Sequence, residues 1–184
     1  LDETYADFLP AEGARPHELF AGDAWRGTVI RLYSFSKAYA VPGHRVGAMF
    51  ADEATTAQVA KVLDNLQICA PRAAQAALAW AVGALGPWRE EGRREIVARG
   101  EAFARMLSAV PGWRIDSAGA YFAYVRHPYP GVPAARVAEK LARERGVLCL
   151  PGSYFGPGQD THLRIAIANA ARETIASLAP RFAP

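Results

Sequence analysis

Two apolar runs near the start of the chain predict a pair of β-strands. Residues 28–35 are rich in Val, Ile, Leu, Tyr and Phe, and residues 46–51 are nearly all apolar. β-Branched and aromatic residues favour strands, and uninterrupted apolar runs indicate largely buried ones. The dipeptide formed by Pro42 and Gly43 lies between the runs and marks a turn. The pattern therefore predicts a strand, a turn and a second strand.

After the second run, apolar positions recur with the spacing of an α-helix. This spacing predicts helices over residues 52–66 and 72–85. Asp52 lies at the start of the first of these, where a carboxylate is favoured by the helix dipole. A longer amphipathic helix is predicted from about residue 88 to the stop signal at Pro111.

The second half of the chain alternates between strand and helix patterns. It predicts strands over residues 113–115, 121–125, 147–150 and 162–168, a helix over 133–145 that ends at Gly146, and a last helix capped by Asn169. The order indicates a strand and helix portion followed by an α+β unit. Since Gly86 and Pro87 interrupt the pattern, we expect two domains, residues 1–85 and 86–184.

The composition is that of a globular protein with no strong charge bias. Of the 184 residues, 51% are hydrophobic, and 21 Lys and Arg against 18 Asp and Glu leave a net charge of +3. This scattered excess is too small to predict a nucleic-acid partner. No stretch has the pattern of a signal peptide or the length of a membrane span. We expect a soluble, cytoplasmic protein with no membrane partner.

Neither the cysteines nor the histidines predict a metal site. Cys69 and Cys149 are far apart and form no CxxC motif, so we expect both to be buried free thiols. The four histidines are equally dispersed. We therefore expect no bound metal.

Candidate chemistry is concentrated in the stretch SFSKAYAVPGHRVG, residues 34–47. Lys37 follows the first predicted strand among aromatic residues, where desolvation favours the free amine that condenses with an aldehyde. Ser34 and Ser36 supply hydroxyls, and Arg45 supplies a guanidinium suited to a phosphate. These groups indicate a lysine that carries a phosphorylated aldehyde. The alternatives are a surface lysine, an exposed arginine and serines bonded to the backbone.

This stretch resembles the pyridoxal-phosphate attachment motif of the class I and II aminotransferases. In that motif Ser-x-Ser-Lys is followed by Gly-x-Arg-x-Gly, and all of these types are present at residues 34–47. The resemblance implies that Lys37 carries pyridoxal 5'-phosphate as an aldimine. It also implies that Ser34, Ser36 and Arg45 bind the cofactor, with Ser34 and Arg45 at its phosphate.

Two further segments resemble the same family. DETY, residues 2–5, is similar to a segment whose aspartate pairs with the pyridine nitrogen and whose tyrosine bonds the ring's phenolic oxygen, which implies these roles for Asp2 and Tyr5. The carboxylate would keep the ring protonated and so make it an electron sink. HLRIAIA is similar to the strand whose arginine binds the substrate α-carboxylate, which implies Arg164. The alternative for Arg164 is a structural ion pair with Asp or Glu.

The resemblance implies an α/β protein of PLP-dependent transferase fold type I. Residues 1–85 would be the end of the large PLP-binding domain, and residues 86–184 the small α+β C-terminal domain. The implied activity is transfer of an amino group between an α-amino acid and a 2-oxo acid. The resemblance also implies a homodimer, with QICAPRAAQ (67–75) near its interface. Because the likeness covers only the later part of the family's chain, we expect a fragment.

Three alternatives to an aminotransferase remain open from the sequence. A PLP-dependent lyase of the same fold would use the same residues. An aminotransferase-like sensing domain of a transcription regulator would need a DNA-binding segment, which is not among residues 1–184 and would have to lie outside them. The last alternative is a catalytically inactive fragment. The side chain of the substrate is not indicated, because Arg164 would bind only the carboxylate that all amino acids share.

Overall fold

The computed structural model describes residues 1–183 and divides into two compact units. The first unit is Leu1–Arg93 and the second begins at Arg94, so the division falls within one long helix. Each unit has its own cluster of buried apolar side chains. Within residues 1–183, no helix combines the length and the apolar character that crossing a bilayer requires.

The first unit is organised around the antiparallel pair β1 (Arg31–Ser34) and β2 (Gly47–Phe50). A 3-10 turn over Pro42–His44 connects them, so the predicted strand, turn and strand are confirmed. The two strands approach closely at Gly47, where a Cβ atom would lie 2.8 Å from the carbonyl oxygen of Tyr33. A side chain at this position would push the strands apart.

The start of the chain is fastened to β1. A parallel bridge joins Asp2 to Leu32. The N–H of Leu32 donates to the carbonyl oxygen of Leu1, and the N–H of Glu3 donates to that of Leu32, each at 2.8 Å. A 3-10 turn over Ala6–Phe8 follows immediately. β1 therefore aligns segments that are about 30 residues apart in the sequence.

Lys37 lies in a helical turn, and the prediction that the strand continues through Phe35 was wrong. Residues Phe35–Ala38 form the short helix α1, and Ser34 is its N-cap. The Ser34 Oγ accepts a hydrogen bond from the N–H of Ser36 at 3.3 Å. This side-chain bond offers the backbone an alternative to the strand ladder and starts the helical turn.

The predicted helices of the first unit are confirmed. They are α2 (Glu53–Leu66), α3 (Arg72–Ala84) and the first part of α4 (Gly86–Ser108). Asp52 caps α2, since its carboxylate accepts from the N–H of Thr55 at 3.0 Å and from its hydroxyl at 2.8 Å. On the predicted apolar face of α2, Val62, Leu63 and Leu66 are exposed, and none of the described residues of this helix is buried.

The second unit contains a four-stranded antiparallel sheet in the order β3-β4-β6-β5. The strands are β3 (Arg114–Gly119), β4 (Phe122–Arg126), β5 (Leu150–Pro151) and β6 (His162–Ala166), and the helices after α4 are α5 (Ala134–Arg145), α6 (Arg172–Ala176) and α7 (Ala179–Phe182). As predicted, Gly146 ends α5, in the left-handed conformation (φ 63°). One face of the sheet joins the buried core with the apolar residues of α4 and α5.

The two faces of β4 and β6 differ in chemistry. Ala123 and Val125 point into the core, whereas their neighbours Phe122, Tyr124 and Arg126 are partly exposed on the other face. The register places Tyr124 opposite Arg164 and Arg126 opposite His162. Aromatic and charged side chains therefore form one continuous row on the outer face of the sheet.

Two predictions for the second half were wrong. The strand expected at 147–150 is only Leu150–Pro151, because the N–H of Val147 donates to the carbonyl oxygen of Leu141 and closes the end of α5. Asn169 does not cap the last helices. It ends a 3-10 turn, and extended backbone separates it from α6, whose N-cap is Ala171.

The two cysteines lie in different environments. Cys149 is buried as expected, and burial raises the pKa of its thiol to about 11. Cys69 is exposed, so the prediction of two buried thiols was half wrong. It follows Ile68, which has a left-handed conformation (φ 64°), in the turn between α2 and α3.

Gly152 occupies a space that no other residue fits. A Cβ atom there would lie 2.4 Å from the carbonyl oxygen of Gln159, 2.5 Å from the Tyr124 hydroxyl and 2.9 Å from the carbonyl oxygen of His162. Two of these atoms belong to the backbone and cannot move aside as a flexible side chain does. The loop before β6 therefore depends on this glycine.

We predict that Gly152→Ala lowers the free energy of unfolding by about 2 kcal/mol, the usual cost of overpacking. The matched control is Gly119→Ala, because a Cβ atom at Gly119 meets no other atom within 4 Å. Urea unfolding monitored by tryptophan fluorescence measures both. Equal stability of the two variants would contradict the prediction.

Candidate active site

Lys37 and Tyr5, two of the predicted site residues, lie side by side. The Lys37 Nζ is 5.9 Å from the centroid of the Tyr5 ring. Both side chains are partly buried, Lys37 in helix α1 and Tyr5 at the start of the 3-10 turn that follows DETY. The pairing of the chain start with β1 brings an amine and a phenol together at a candidate site.

Asp2 presents an ionised carboxylate on the same segment. Its Oδ1 accepts from the Thr4 hydroxyl at 2.6 Å and from the Thr4 N–H at 3.0 Å. These bonds, the hydroxyl's first, hold the pKa of Asp2 below its ordinary value. Asp2 is exposed, so its second oxygen is accessible. A stably charged carboxylate is the group needed to keep a pyridine nitrogen protonated.

Glu3 is a structural residue that sequence reasoning missed. Its side chain is only 8% exposed and forms an ion pair with Arg31, the first residue of β1, and a hydrogen bond with His17. Because side chains alternate along an extended segment, Asp2 is exposed while Glu3 is buried. An acidic residue two positions before the site tyrosine and an arginine inside an apolar strand were the available signals.

The predicted cofactor-binding serines, Ser34 and Ser36, form no hydrogen bond with Arg45 within the described residues. Ser34 and Ser36 are partly buried, and the Ser34 hydroxyl is engaged with the N–H of Ser36. Arg45 is exposed, has a left-handed backbone, and donates to the carbonyl oxygen of Pro42 at 2.9 Å. Within the described chain, no hydrogen bond links Arg45 to either serine. The sheet register nevertheless places Gly47, two residues after Arg45, opposite Ser34.

Arg164 lies in the second unit, on the outer face of β6. The carbon at the centre of its guanidinium is 4.5 Å from the centroid of the Phe122 ring and 4.2 Å from that of Phe155. Among residues 1–183, no Asp or Glu forms an ion pair with it, so the structural ion pair considered above is not found. Cation–π contacts place the guanidinium while leaving its N–H groups available to an anion.

A polar network borders Arg164 on the same face. The Tyr124 hydroxyl donates to the Gln159 side chain at 2.8 Å, and its ring stacks on His162 at 4.9 Å. His162 in turn bonds Asp116, which also accepts from Arg114 and Arg126. These bonds, that of Arg114 first, hold the pKa of Asp116 well below its usual range. The network joins β6, the strand on which Arg164 lies, to β3 and β4.

The first unit supplies a donor set that fits pyridoxal phosphate. Such a ring carries a pyridine nitrogen, a phenolic oxygen and an aldehyde. Asp2 provides an ionised carboxylate, Tyr5 a phenol and Lys37 an amine, and the last two are in contact. The chemical class of each residue matches one ring substituent.

Comparison with known proteins assigns the family. The family model described as aminotransferase class I and II matches residues 1–182. The chain is 31% identical over 148 residues to the (5-formylfuran-3-yl)methyl phosphate transaminase of Methanocaldococcus jannaschii, covering 77% of this chain and 38% of that protein. It is 26% identical over 171 residues to aromatic-amino-acid aminotransferase 2 of Thermococcus litoralis, covering 92% and 44%.

Solved structures agree with this family. The α-aminoadipate aminotransferase LysN of Thermus thermophilus, in complex with N-(5'-phosphopyridoxyl)-L-leucine, superposes with a TM-score of 0.86 at 25% identity, over 98% of this chain and 48% of that one. A probable N-succinyldiaminopimelate aminotransferase, also of Thermus thermophilus, gives a TM-score of 0.86 at 26% identity, over 98% and 48%.

These matches establish the fold as that of the PLP-dependent aminotransferases of fold type I, as predicted. The chain spans less than half the length of the relatives it matches. On the match over residues 1–182, the chain belongs to the class I and II aminotransferase family.

Proposed function

We propose that the protein containing this chain is a pyridoxal-phosphate-dependent aminotransferase. It would move an amino group between an α-amino acid and a 2-oxo acid. The observation that carries the proposal is the contact of the Lys37 Nζ with the Tyr5 ring, in a chain of this family. The phosphopyridoxyl ligand of LysN supports the identity of the cofactor.

Three residues of the first unit have proposed roles around the cofactor ring. The ionised carboxylate of Asp2 would pair with the pyridine nitrogen, and the Tyr5 hydroxyl would donate to the phenolic oxygen. The Lys37 Nζ would hold the cofactor and, once the substrate's amine has displaced it, would take the proton from the substrate's α-carbon as a general base. When bound, pyridoxal phosphate supplies the electron sink that makes this proton acidic.

The remaining proposed contacts bind anions. Ser34, Ser36 and Arg45 are proposed to bind the cofactor, with Ser34 and Arg45 at its phosphate, because a guanidinium matches a phosphate bidentately. Arg164 is proposed to bind the α-carboxylate of the substrate. Its support is a guanidinium held by two aromatic rings, with no ion-pair partner among residues 1–183.

We also propose a domain assignment and an oligomeric state. Residues 1–85 would be the end of the large PLP-binding domain, and residues 86–184 the small domain. The protein would be a cytoplasmic homodimer. Support for the dimer comes from large apolar side chains that are exposed within residues 66–80, which include residues 67–75, because exposed apolar surface marks interaction sites. These residues are Leu66, Ile68 and Trp80, which are 78%, 75% and 65% exposed.

Reductive labelling tests the proposed function at one residue. The chain has three lysines, Lys37, Lys61 and Lys140. After incubation with pyridoxal phosphate and reduction with borohydride, we expect the phosphopyridoxyl mass on the peptide that contains Lys37. Lys37→Ala should abolish the labelling, because it removes the attacking amine.

The matched controls for this labelling are Lys61→Ala and Lys140→Ala. Lys61 lies exposed on α2 and Lys140 exposed on α5, and both variants should label as the parent does. Pyridoxal phosphate attached to a lysine absorbs near the visible range. Retention of this absorbance by Lys37→Ala, or a label on Lys61 alone, would refute the proposed function.

Steady-state kinetics test Arg164. We expect Arg164→Lys to raise the KM for the amino acid at least tenfold, because lysine keeps the charge but loses the bidentate geometry and much of the stacking. A charge-assisted hydrogen bond contributes about 1.5–3 kcal/mol, and about 1.4 kcal/mol corresponds to a tenfold change. The control is Arg105→Lys, an exposed residue paired with Glu101. An unchanged KM would remove Arg164 from the proposed site.

Sedimentation velocity tests the dimer. We expect the protein to sediment as a dimer, and Leu66→Lys to shift it toward monomer, because a buried unpaired charge opposes association. Leu148→Lys is the control, since Leu148 is 84% exposed but belongs to the second unit, whereas residues 67–75 belong to the first. A fully active parent monomer would exclude the proposed assembly.

A further inference from the structure

Asp7 uses its two carboxylate oxygens for two different partners. Its Oδ2 accepts a hydrogen bond from the Tyr33 hydroxyl at 2.7 Å, and its Oδ1 accepts one from Arg89 at 2.7 Å. The side chain is only 21% exposed. Asp7 lies two residues after Tyr5, in the 3-10 turn Ala6–Phe8. A partly buried carboxylate beside a proposed cofactor residue thus has a definite bridging geometry.

The bridge reaches the chain on both sides of Lys37. Tyr33 lies in β1, four residues before Lys37. The guanidinium of Arg89 lies 5.2 Å from the centroid of the Tyr39 ring, and Tyr39 is two residues after Lys37. Asp7 therefore connects the segment that carries Tyr5 to both flanks of the helical turn that carries Lys37.

The two tyrosines around the bridge stay protonated near neutral pH. Burial raises the pKa of the Tyr33 hydroxyl well above its ordinary value, and the hydrogen bond to Asp7 raises it further. Burial also raises the pKa of Tyr39. Tyr33 thus remains a donor, and the charged groups of the bridge are the Asp7 carboxylate and the Arg89 guanidinium.

Three aromatic rings, those of Tyr33, Phe35 and Tyr39, pack against one another on either side of Lys37 in the sequence. The Phe35 ring meets the Tyr33 ring edge-on, with centroids 5.2 Å apart, and the Tyr39 ring at 5.6 Å. Such pairs add to the stability of a cluster beyond their buried area. A shift of Asp7 would therefore be transmitted to helix α1 through Tyr33 and would not be absorbed locally.

We propose that Asp7 is a positioning residue of the active site. By joining Tyr33 to Arg89, it sets the distance between Tyr5 and Lys37, and its negative charge favours a proton on the Lys37 nitrogen. This inference rests on the proposed function, because the nitrogen concerned is the one that would hold the cofactor. The charged and titratable groups that contact the Lys37 turn or its flanks include Asp7, Arg89, Tyr33 and Tyr39, together with the Tyr5 phenol that faces Lys37.

The segment has other anchors, so removal of the Asp7 charge should leave it folded. Arg93 donates to the carbonyl oxygens of Leu9 and Pro10 at 3.0 and 2.6 Å. At the other end, Glu3 pairs with Arg31. A change at Asp7 can therefore be examined without loss of the local fold.

The experiment is a pH titration of the absorbance of cofactor attached to Lys37. Asp7→Asn removes a negative charge, so the proton on the Lys37 nitrogen is lost more readily and the titration midpoint should fall by about half a pH unit. Arg89→Gln removes the opposing positive charge, so the midpoint should rise by a similar amount. A purely structural disturbance would not give shifts of opposite sign.

The matched controls change the same residue types in an exposed ion pair of the same unit. Asp23 and Arg26 are 3.1 Å apart with exposed side chains, and Asp23→Asn and Arg26→Gln should leave the midpoint unchanged. If Asp7→Asn does not fold, Arg89→Gln still tests the sign of the shift.

The outcomes separate this inference from the proposed function. A parent protein that carries the cofactor, with an unchanged midpoint in folded Asp7→Asn or shifts of the same sign in both variants, overturns the role of Asp7 alone. Borohydride labelling of the parent at Lys37 is measured in parallel. Failure of the parent to take up pyridoxal phosphate overturns the proposed function and this inference with it.

Discussion

Pairing of strand β1 on both of its edges is the constraint on which the candidate site depends. Through the bridge from Asp2 to Leu32, β1 fixes the segment that carries Tyr5, and through β2 it fixes the chain that follows Arg45. Its own end leads directly into the turn that holds Lys37. The backbone bonds of one four-residue strand thus gather groups from three separate parts of the sequence.

Local rules predicted the parts of the fold that depend on neighbouring residues. Asp52 caps α2 and Gly146 ends α5 because each requirement lies within a few residues. The same kind of rule explains one failure, since the bond from Ser36 to Ser34 turned the expected strand end into a helix. At Val147, a backbone hydrogen bond to Leu141 replaces the strand that the residue propensities favour. No local sequence pattern indicates this hydrogen bond.

Within the candidate site, the sequence indicates candidate residues but not the contacts that hold them in place. A motif likeness selects Lys37, Tyr5 and Arg164 because their spacing along the chain is specific. The motif likeness does not indicate Asp7, because Arg89, the partner on which its proposed role depends, is 82 residues away in the sequence. The aromatic contacts of Arg164 with Phe122 and Phe155 likewise require the folded sheet and loop. Contacts between distant residues carry no periodic signal in a single sequence.

The opposite environments of Asp2 and Glu3 have an evolutionary consequence. The Asp2 carboxylate is exposed and available to a ligand, whereas the Glu3 carboxylate is buried against Arg31 and His17. We therefore expect these adjacent positions of one tetrapeptide to differ in the substitutions that they tolerate. Loss of the proposed cofactor contact would permit replacement of Asp2, whereas replacement of Glu3 alone would leave Arg31 without its ion-pair partner.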